Sequence, residues 1–195
     1  MRHRTPLVLA SSSPRRLALL RQVGVIPDRI EAPVVDETPS ARELPRAHAL
    51  RLAAAKADDV AARSPAAFVL AADTVVGCGR RILGKASDIA TAERYLRLLS
   101  GRRHRVYTGI AVTAPDGRRA SRVVMTMVLF KRLDARELEA YLASEEWRGK
   151  AGGYAIQGRA EAFVSAINGS YSNVVGLPLA ATLDLLRGLG WRVEP

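Results

Sequence analysis

The sequence predicts an α/β fold, and three observations carry that prediction. An apolar run near the start, Leu7-Val8-Leu9-Ala10, is followed by a polar turn and then by apolar residues at helical spacing. A second apolar run, residues 68–76, is short, bounded by turn residues and interrupted by one acid, the pattern of a buried strand in a mixed or parallel sheet. Strand-like and helix-like segments then alternate irregularly around one long hairpin, which favours α/β over a bundle, a sandwich or a regular doubly wound sheet. The 195 residues suffice for a sizeable core, and residues 1–195 are read as a single domain because no linker or repeat interrupts them.

Each element has a local reason. After the first strand, Ser11-Ser12-Ser13-Pro14 turns the chain, Ser13 is placed to cap a helix, and Pro14 takes its first position. Leu17, Leu19, Leu20 and Val23 continue that helix. Its positive end, with Arg15 and Arg16 and free backbone N–H groups, suits a phosphate; the plainer alternative is a Ser-Pro helix start with solvated arginines. A short extended piece over residues 30–35 ends in Asp36-Glu37, and the Ala- and Leu-rich residues 46–62 form a helix carrying Lys56. Gly77, Gly79 and Gly84 punctuate a hairpin that delivers Lys85. Residues 88–99 form a helix closed by Ser100-Gly101, and residues 104–113 and 121–132 are strands joined at Pro115-Asp116-Gly117. Asp134 caps a helix to residue 143. A glycine-bracketed loop around a short strand spans residues 152–158. Then come the segment 163–167, a turn at Asn168-Gly169-Ser170, a last helix through residue 189 and a closing strand at 191–193.

Composition narrows the function classes. Lys and Arg exceed Asp and Glu by 30 to 19, so the chain carries +11 and favours anionic partners: nucleotides, nucleic acid or acidic lipid. No run approaches the roughly 18 to 20 apolar residues of a membrane span, and the run at Leu7 is too short for a secretory signal. A lone cysteine, Cys78, cannot form an internal disulfide. Together these predict a soluble cytoplasmic protein with no membrane partner. Only four of the 30 basic residues are lysines, at 56, 85, 131 and 150, and an ammonium is a compact point charge suited to a single phosphate oxygen.

Asp73 is the first candidate for chemistry. It is the only acid between Asp59 and Asp88, and it lies at the end of an apolar run, where a carboxylate needs a cation, a metal or hydrogen bonds to offset its desolvation. Such a group can act as general base or hold a divalent ion; alternatively it caps a turn, a role Asp-Thr also suits. Asp36 and Glu37 could add oxygen ligands for magnesium, which takes one or two carboxylates together with phosphate oxygens and water. Other chemistries lack their parts. His3, His48 and His104 are scattered without zinc-ligand spacing, and there is neither a Gly-x-x-x-x-Gly-Lys-[Ser/Thr] loop nor a Gly-x-Ser-x-Gly elbow. Aromatic residues are too sparse for a single-strand stacking platform.

Six motifs, in order and spacing, resemble the Maf family of nucleoside triphosphate pyrophosphatases. They are Leu9-Ala10-Ser11-Ser12-Ser13-Pro14-Arg15-Arg16, Ala72-Asp73-Thr74-Val75-Val76, Leu83-Gly84-Lys85, Leu99-Ser100-Gly101-Arg102-Arg103-His104, Gly153-Tyr154-Ala155-Ile156-Gln157-Gly158 and the segment from Asn168 to Pro178. The resemblance implies an elongated mixed sheet flanked by helices, related in shape to inosine-triphosphate pyrophosphatases, with a cleft between two lobes. It implies hydrolysis of a nucleoside triphosphate to the monophosphate and pyrophosphate with a divalent cation, magnesium or manganese. Within the family the last two motifs look like the branch acting on dTTP and UTP. The resemblance makes Asp73 the proton acceptor and Arg15, Thr74 and Gln157 the specificity positions. It puts Ser11, Lys56 and Lys85 at the phosphates, and Glu37, with Asp36 as the alternative, beside Asp73 at the metal.

It implies no stable nucleic-acid complex and leaves a homodimer open. Lys150 is read as positioning its glycine loop. Two departures stand out: Ala54-Ala55-Lys56-Ala57 replaces the family's Arg-Glu-Lys-Ala and leaves the partners of Lys56 undefined. Gly84-Lys85-Ala86 replaces Gly-Lys-Pro, which is expected to loosen the Lys85 loop. The alternative reading is a basic nucleic-acid-binding or septum-regulating protein with a vestigial cleft.

Overall fold

A computed structural model describes residues 5–192, so His3 and Val193 lie outside the described residues. The strands are β1 (Leu7–Ala10), β2 (Arg29–Glu31), β3 (Phe68–Cys78), β4 (Arg81–Leu83), β5 (Arg103–Thr113), β6 (Arg119–Phe130) and β7 (Val164–Asn168). They form one seven-stranded sheet in the order β2-β1-β3-β5-β6-β7, with β4 pairing with β3 off that path. The helices are α1 (Pro14–Gln22), α2 (Pro45–Ala61), α3 (Ile89–Leu99), α4 (Ala135–Ala143), α5 (Tyr171–Val175) and α6 (Leu179–Gly188). β1 is parallel to β2 and to β3, and every other pairing is antiparallel, so the sheet is mixed as expected.

The sheet is covered on both faces, and the period of two along β3 decides what meets what. Val69 and Ala71 point to the α2 face with Ala53, Ala57 and Val60. Phe68, Leu70 and Ala72 point to the opposite face and pack with Leu19, Leu20 and Leu186 from α1 and α6. Farther along, Val76 joins a separate core with Leu96 and Leu99 of α3 and Leu138 and Tyr141 of α4. The two ends of one long strand therefore belong to two different cores, with the site between them.

α2 approaches the sheet closely because its inner stripe is alanine-rich and because β5 carries Gly109 beneath it. A Cβ there would lie 2.2 Å from the Ala49 carbonyl oxygen, a separation no side chain tolerates. The expected cap at α4 is present, where Asp134 and Glu137 form a reciprocal capping box; at α3 Asp88, expected as the first helical residue, is the cap itself, its side chain accepting from the Thr91 N–H.

Several expectations are corrected. Ser13 occupies the cap position of α1 but its hydroxyl makes no cap bond; its N–H donates instead to the Ser11 hydroxyl at 3.2 Å. β2 is confined to three residues, so the chain from Ala32 through Glu37 is loop. Residues 152–158 contain no strand: they form turns, and the extended character is limited to a bridge between Lys85 and Ala151. A short helix, α5, follows Ser170, whose side chain accepts from the Asn173 N–H. Trp191 and Arg192 belong to no strand; the Trp191 ring is buried against the α1–α6 core, which satisfies its apolar surface without sheet pairing. Asp73 lies in mid-strand, not at a strand end, because β3 continues through it to Cys78.

Candidate active site

The mid-strand position of Asp73 is useful because the sheet has a gap beside it. On one side β3 pairs continuously with β5, with Asp73 opposite Gly109 and Thr74 opposite Thr108. On the other side β1 ends at Ala10, opposite Ala71, and the antiparallel β4 ends at Leu83, opposite Val76. Residues 72–75 thus have one open edge at the carboxyl end of a parallel strand, the place where α/β sheets bind ligands. A cleft of about 520 Å³ occupies that gap, lined by Ser11 to Arg16, Glu37, Lys56, Asp73, Thr74, Lys85, residues 148–151 and 154–157, and the end of α5 from Val174 to Gly176.

Strand alternation sends Asp73 and Thr74 to opposite faces. Asp73 faces α2 and meets Lys56, whose Nζ lies 2.6 Å from its Oδ1 and 2.5 Å from Oε1 of Glu37. Lys85 Nζ donates to the other Glu37 oxygen at 2.6 Å. Lys56 and Asp73 are 7% and 9% exposed in their side chains, Glu37 40%. Burial by itself would raise the Glu37 carboxyl, but hydrogen bonds from Lys56 and Lys85 and their charges hold it down at about 2. Lys56 lies on the sheet-facing stripe of α2 with Ala49, Leu52, Ala53 and Val60, a charged residue in an apolar row. That placement supplies the partners its altered neighbours left undefined.

On the opposite face Thr74 shares a hydrogen bond with Thr108 at 3.0 Å and meets Arg16. Arg16 clamps three segments: Nε donates to the Gly176 carbonyl at 2.9 Å, one terminal nitrogen to the Ser11 hydroxyl at 3.0 Å, the other to Thr74 Oγ1 at 3.4 Å. Burial pushes its pKa down, against the opposing pull of Asp73. Gly176 has φ 136°, a conformation that favours glycine and turns its carbonyl to the guanidinium. The buried Asn173 ties α5 to the sheet through the Val106 carbonyl at 3.1 Å and Thr126 Oγ1 at 3.0 Å, so the Gly176 carbonyl is held from below.

All eight residues expected at the site, Ser11, Arg15, Glu37, Lys56, Asp73, Thr74, Lys85 and Gln157, line the cleft. Asp36 does not: its carboxylate accepts from the Thr38 N–H at 2.8 Å, away from the lysines. Of the other two lysines, Lys150 lines the cleft and Lys131 pairs with Glu137 on the first turn of α4. The Lys85 loop is not loosened: Ala86 is buried, its N–H donates to the Lys150 carbonyl at 3.2 Å, and Lys85 bridges to Ala151.

Arg16, which the sequence places only as one of two arginines at a positive helix end, lines the cleft beside the eight expected residues, and a local signal marks it. It falls at i, i+3 and i+4 with the buried Leu19 and Leu20, so it sits on the inward stripe of α1. Arg15 points into the cleft with its Nε buried and without a partner, and burial lowers its pKa. Arg148 also lines the cleft, tied to Glu145 at 2.5 Å and stacked on Trp147 at 4.8 Å.

The lining contains six basic side chains, Arg15, Arg16, Lys56, Lys85, Arg148 and Lys150, against two acids, Glu37 and Asp73. That excess suits a polyanion. Among the described residues no group of three or more His, Cys, Asp or Glu side chains could hold a metal unaided. The donor set fits a magnesium-type ion in another way: two carboxylates converge on one cation position, which the Lys56 ammonium fills, and phosphate oxygens and water complete such a shell. Among the described residues no helix is long and apolar enough to cross a membrane.

A profile of the Maf-like protein family matches residues 6–189. A protein from Caulobacter vibrioides named dTTP/UTP pyrophosphatase is 61% identical over 186 residues, covering 95% of this chain and 96% of its own. Proteins of the same name from Paramagnetospirillum magneticum and Rhodospirillum rubrum are 63% and 60% identical, covering 95% and 96% of this chain and 97% and 89% of theirs. Among solved structures, the Staphylococcus aureus Ham1 protein overlays 64% of this chain and 71% of its own, with a TM-score of 0.45 and 19% identity.

Proposed function

This chain belongs to the Maf family, and from that premise we propose that it hydrolyses dTTP and UTP to the nucleoside monophosphate and pyrophosphate. One observation carries the reading: a buried carboxylate, Asp73, stands at the open edge of a sheet, in a cleft whose other charged walls are mostly cationic. The alternative of a nucleic-acid-binding or septum-regulating protein with a vestigial cleft is not favoured, because the cleft holds a complete acid and cation set.

The reaction forms a bond from a water oxygen to the α-phosphorus and breaks the bond from that phosphorus to the α–β bridging oxygen. Charge moves onto pyrophosphate, so positioning and electrostatics carry most of the catalysis. Asp73 accepts the proton of the attacking water. A divalent cation, magnesium or manganese, would be held by Asp73 and Glu37 and would neutralise charge on the phosphate oxygens. Lys56 and Lys85, each already bonded to Glu37, transfer hydrogen bonds to phosphate oxygens as substrate enters. Ser11 and Arg15 bind the triphosphate from the β1–α1 turn, and Arg16 keeps that turn against Thr74. Gln157, exposed at the cleft rim, has an amide that donates and accepts at once, which matches the O4/N3 edge of thymine or uracil. One functional unit spans the chain, and its single free thiol, Cys78, suits a reducing cytoplasm.

The test is a panel of nucleoside triphosphates with magnesium, scoring pyrophosphate against orthophosphate. Pyrophosphate release fastest from dTTP and UTP is expected. Orthophosphate as the product, or intact nucleotides, overturns the proposal.

A further inference from the structure

The motif that ends in His104 has no part in the chemistry just described, yet its histidine is almost completely buried and lies next to the site. His104 is on β5, and its Nε2 is 2.8 Å from the hydroxyl of Tyr154. Tyr154 opens the segment Tyr154-Ala155-Ile156-Gln157 that forms one wall of the cleft. Both rings pack edge-on against Phe130, with centroids 5.0 and 4.9 Å away, so neither can move without disturbing the core. The next residue is tethered as well: the Ala155 N–H donates to the Tyr141 hydroxyl at 3.2 Å. Beyond Gln157 the chain is fastened again, with the Gly158 N–H on the Ala155 carbonyl at 3.0 Å and the Arg159 N–H on Glu146 at 2.8 Å. Ile156 is buried, which leaves Gln157 as the side chain of this stretch that is free to meet a ligand.

We infer that His104 is a positioning residue for substrate selection: through the Tyr154 hydroxyl it fixes the loop that presents Gln157 to the base. The inference rests on the proposed pyrimidine triphosphate hydrolysis and extends it to a residue that does not touch substrate. The physical reason is geometric. An amide distinguishes one base edge from another only when its donor and acceptor are held in place, because a mobile amide can satisfy either pattern. β5 carries both His104 and Gly109, and Gly109 is paired with Asp73, so a single strand sets the spacing between the base-reading loop and the carboxylate. A buried phenol hydroxyl without a partner is costly, which makes the His104 bond the one that keeps Tyr154 in this position.

The experiment compares His104→Phe and Tyr154→Phe, which each delete the bond while keeping a ring, with His104→Gln, whose terminal amide reaches the Nε2 position. Selectivity is read as kcat/KM for dTTP relative to dGTP, with kcat and KM separated. Amide hydrogen exchange over residues 153–158 is followed in parallel. A hydrogen bond of this kind corresponds to about a fivefold change. Both Phe variants should lose dTTP selectivity by roughly five- to tenfold, mainly through KM, and exchange faster in that loop; the Gln variant should restore both. The double Phe variant should lose no more selectivity than either single one. A uniform fall for both nucleotides, or unchanged loop exchange, would make His104 a packing residue only and overturn the inference. An unmodified protein that leaves dTTP intact removes the functional reading beneath it; an active protein whose variants keep the wild-type ratio removes this inference alone. Should His104→Phe fail to fold, Tyr154→Phe, less disruptive to the strand, decides the matter with the same two readouts.

Discussion

Replacing Lys56 with methionine would keep its aliphatic stem and delete the ammonium that joins Glu37 to Asp73. The two carboxylates then fare differently. Glu37 is 40% exposed and still has Lys85 at 2.6 Å, so water and the remaining lysine absorb its loss. Asp73 has a side chain only 9% exposed, and Lys56 at 2.6 Å is its ion-pair partner, so it becomes a buried charge offset just by the longer-range fields of Arg16 and Arg51. Removing one partner of a buried pair costs about 3–5 kcal/mol, a third or more of the stability of an ordinary domain. At a urea m-value of about 2 kcal/mol/M the midpoint should fall by about 2 M. Equilibrium urea unfolding at pH 7 measures this directly, and Asp73→Asn in the Lys56→Met background supplies the control. A neutral amide next to methionine should recover most of the lost stability, even though the double variant is inactive. A loss below about 1 kcal/mol, or no recovery with the amide, would refute the view that Lys56 stabilises the fold mainly by compensating Asp73.

Other consequences concern the same cleft. Asp73→Asn alone should lower turnover by roughly two or more orders of magnitude while the protein stays folded and binds nucleotide by calorimetry; near-normal turnover would remove Asp73 from the chemistry. Gln157→Ala should shift the ratio of dTTP to purine hydrolysis, and an unchanged ratio in steady-state kinetics would mean that the base is read elsewhere. Arg16→Lys keeps the charge but cannot reproduce a fork that reaches Ser11, Thr74 and the Gly176 carbonyl together, so KM should rise about tenfold and stability fall by about 2 kcal/mol. Wild-type KM in that variant would reduce Arg16 to a filler. Burial pushes the His104 imidazole down to about 4 from an ordinary 6.5, so folding disfavours its protonation. The associated stability is complete above pH 6.5 and is lost as the pH falls towards 4, to a total of about 3 kcal/mol. Urea midpoints at pH 7 and 4.5 should show that slope in the wild type and a shallower one in His104→Gln.

Much of this architecture is legible locally. Asp88 and Asp134 announce the starts of α3 and α4 because a cap is made by side chain and backbone three residues apart. The apolar run at Phe68 announces β3, and the lone acid in it singles out Asp73, since a charge in such surroundings demands compensation. The scarcity of lysine marks four positions alike, of which Lys56, Lys85 and Lys150 line the cleft and Lys131 does not; the motifs, not the scarcity, single out Lys56 and Lys85. Arg16 too is encoded in the i, i+3, i+4 spacing of α1, which puts it on one face with Leu19 and Leu20. The choice between Asp36 and Glu37 had no local answer, because it depends on which carboxylate the loop turns towards α2.

What the sequence by itself determined are the main strands and helices, the cap at Asp134 and the residue types suited to a phosphate-rich ligand, because these depend on contacts within a few positions of chain. What only the tertiary structure decided is the gap in the sheet: β1 stops opposite Ala71 and β4 reaches no farther than Val76, which leaves Asp73 buried yet reachable in the middle of a strand. It likewise decided that Lys56 bridges Glu37 and Asp73, and that Arg16 meets a carbonyl 160 positions away. Strand register and helix placement arise from the packing of the whole core, so groups distant in the chain become neighbours only when two separate cores close on either side of β3.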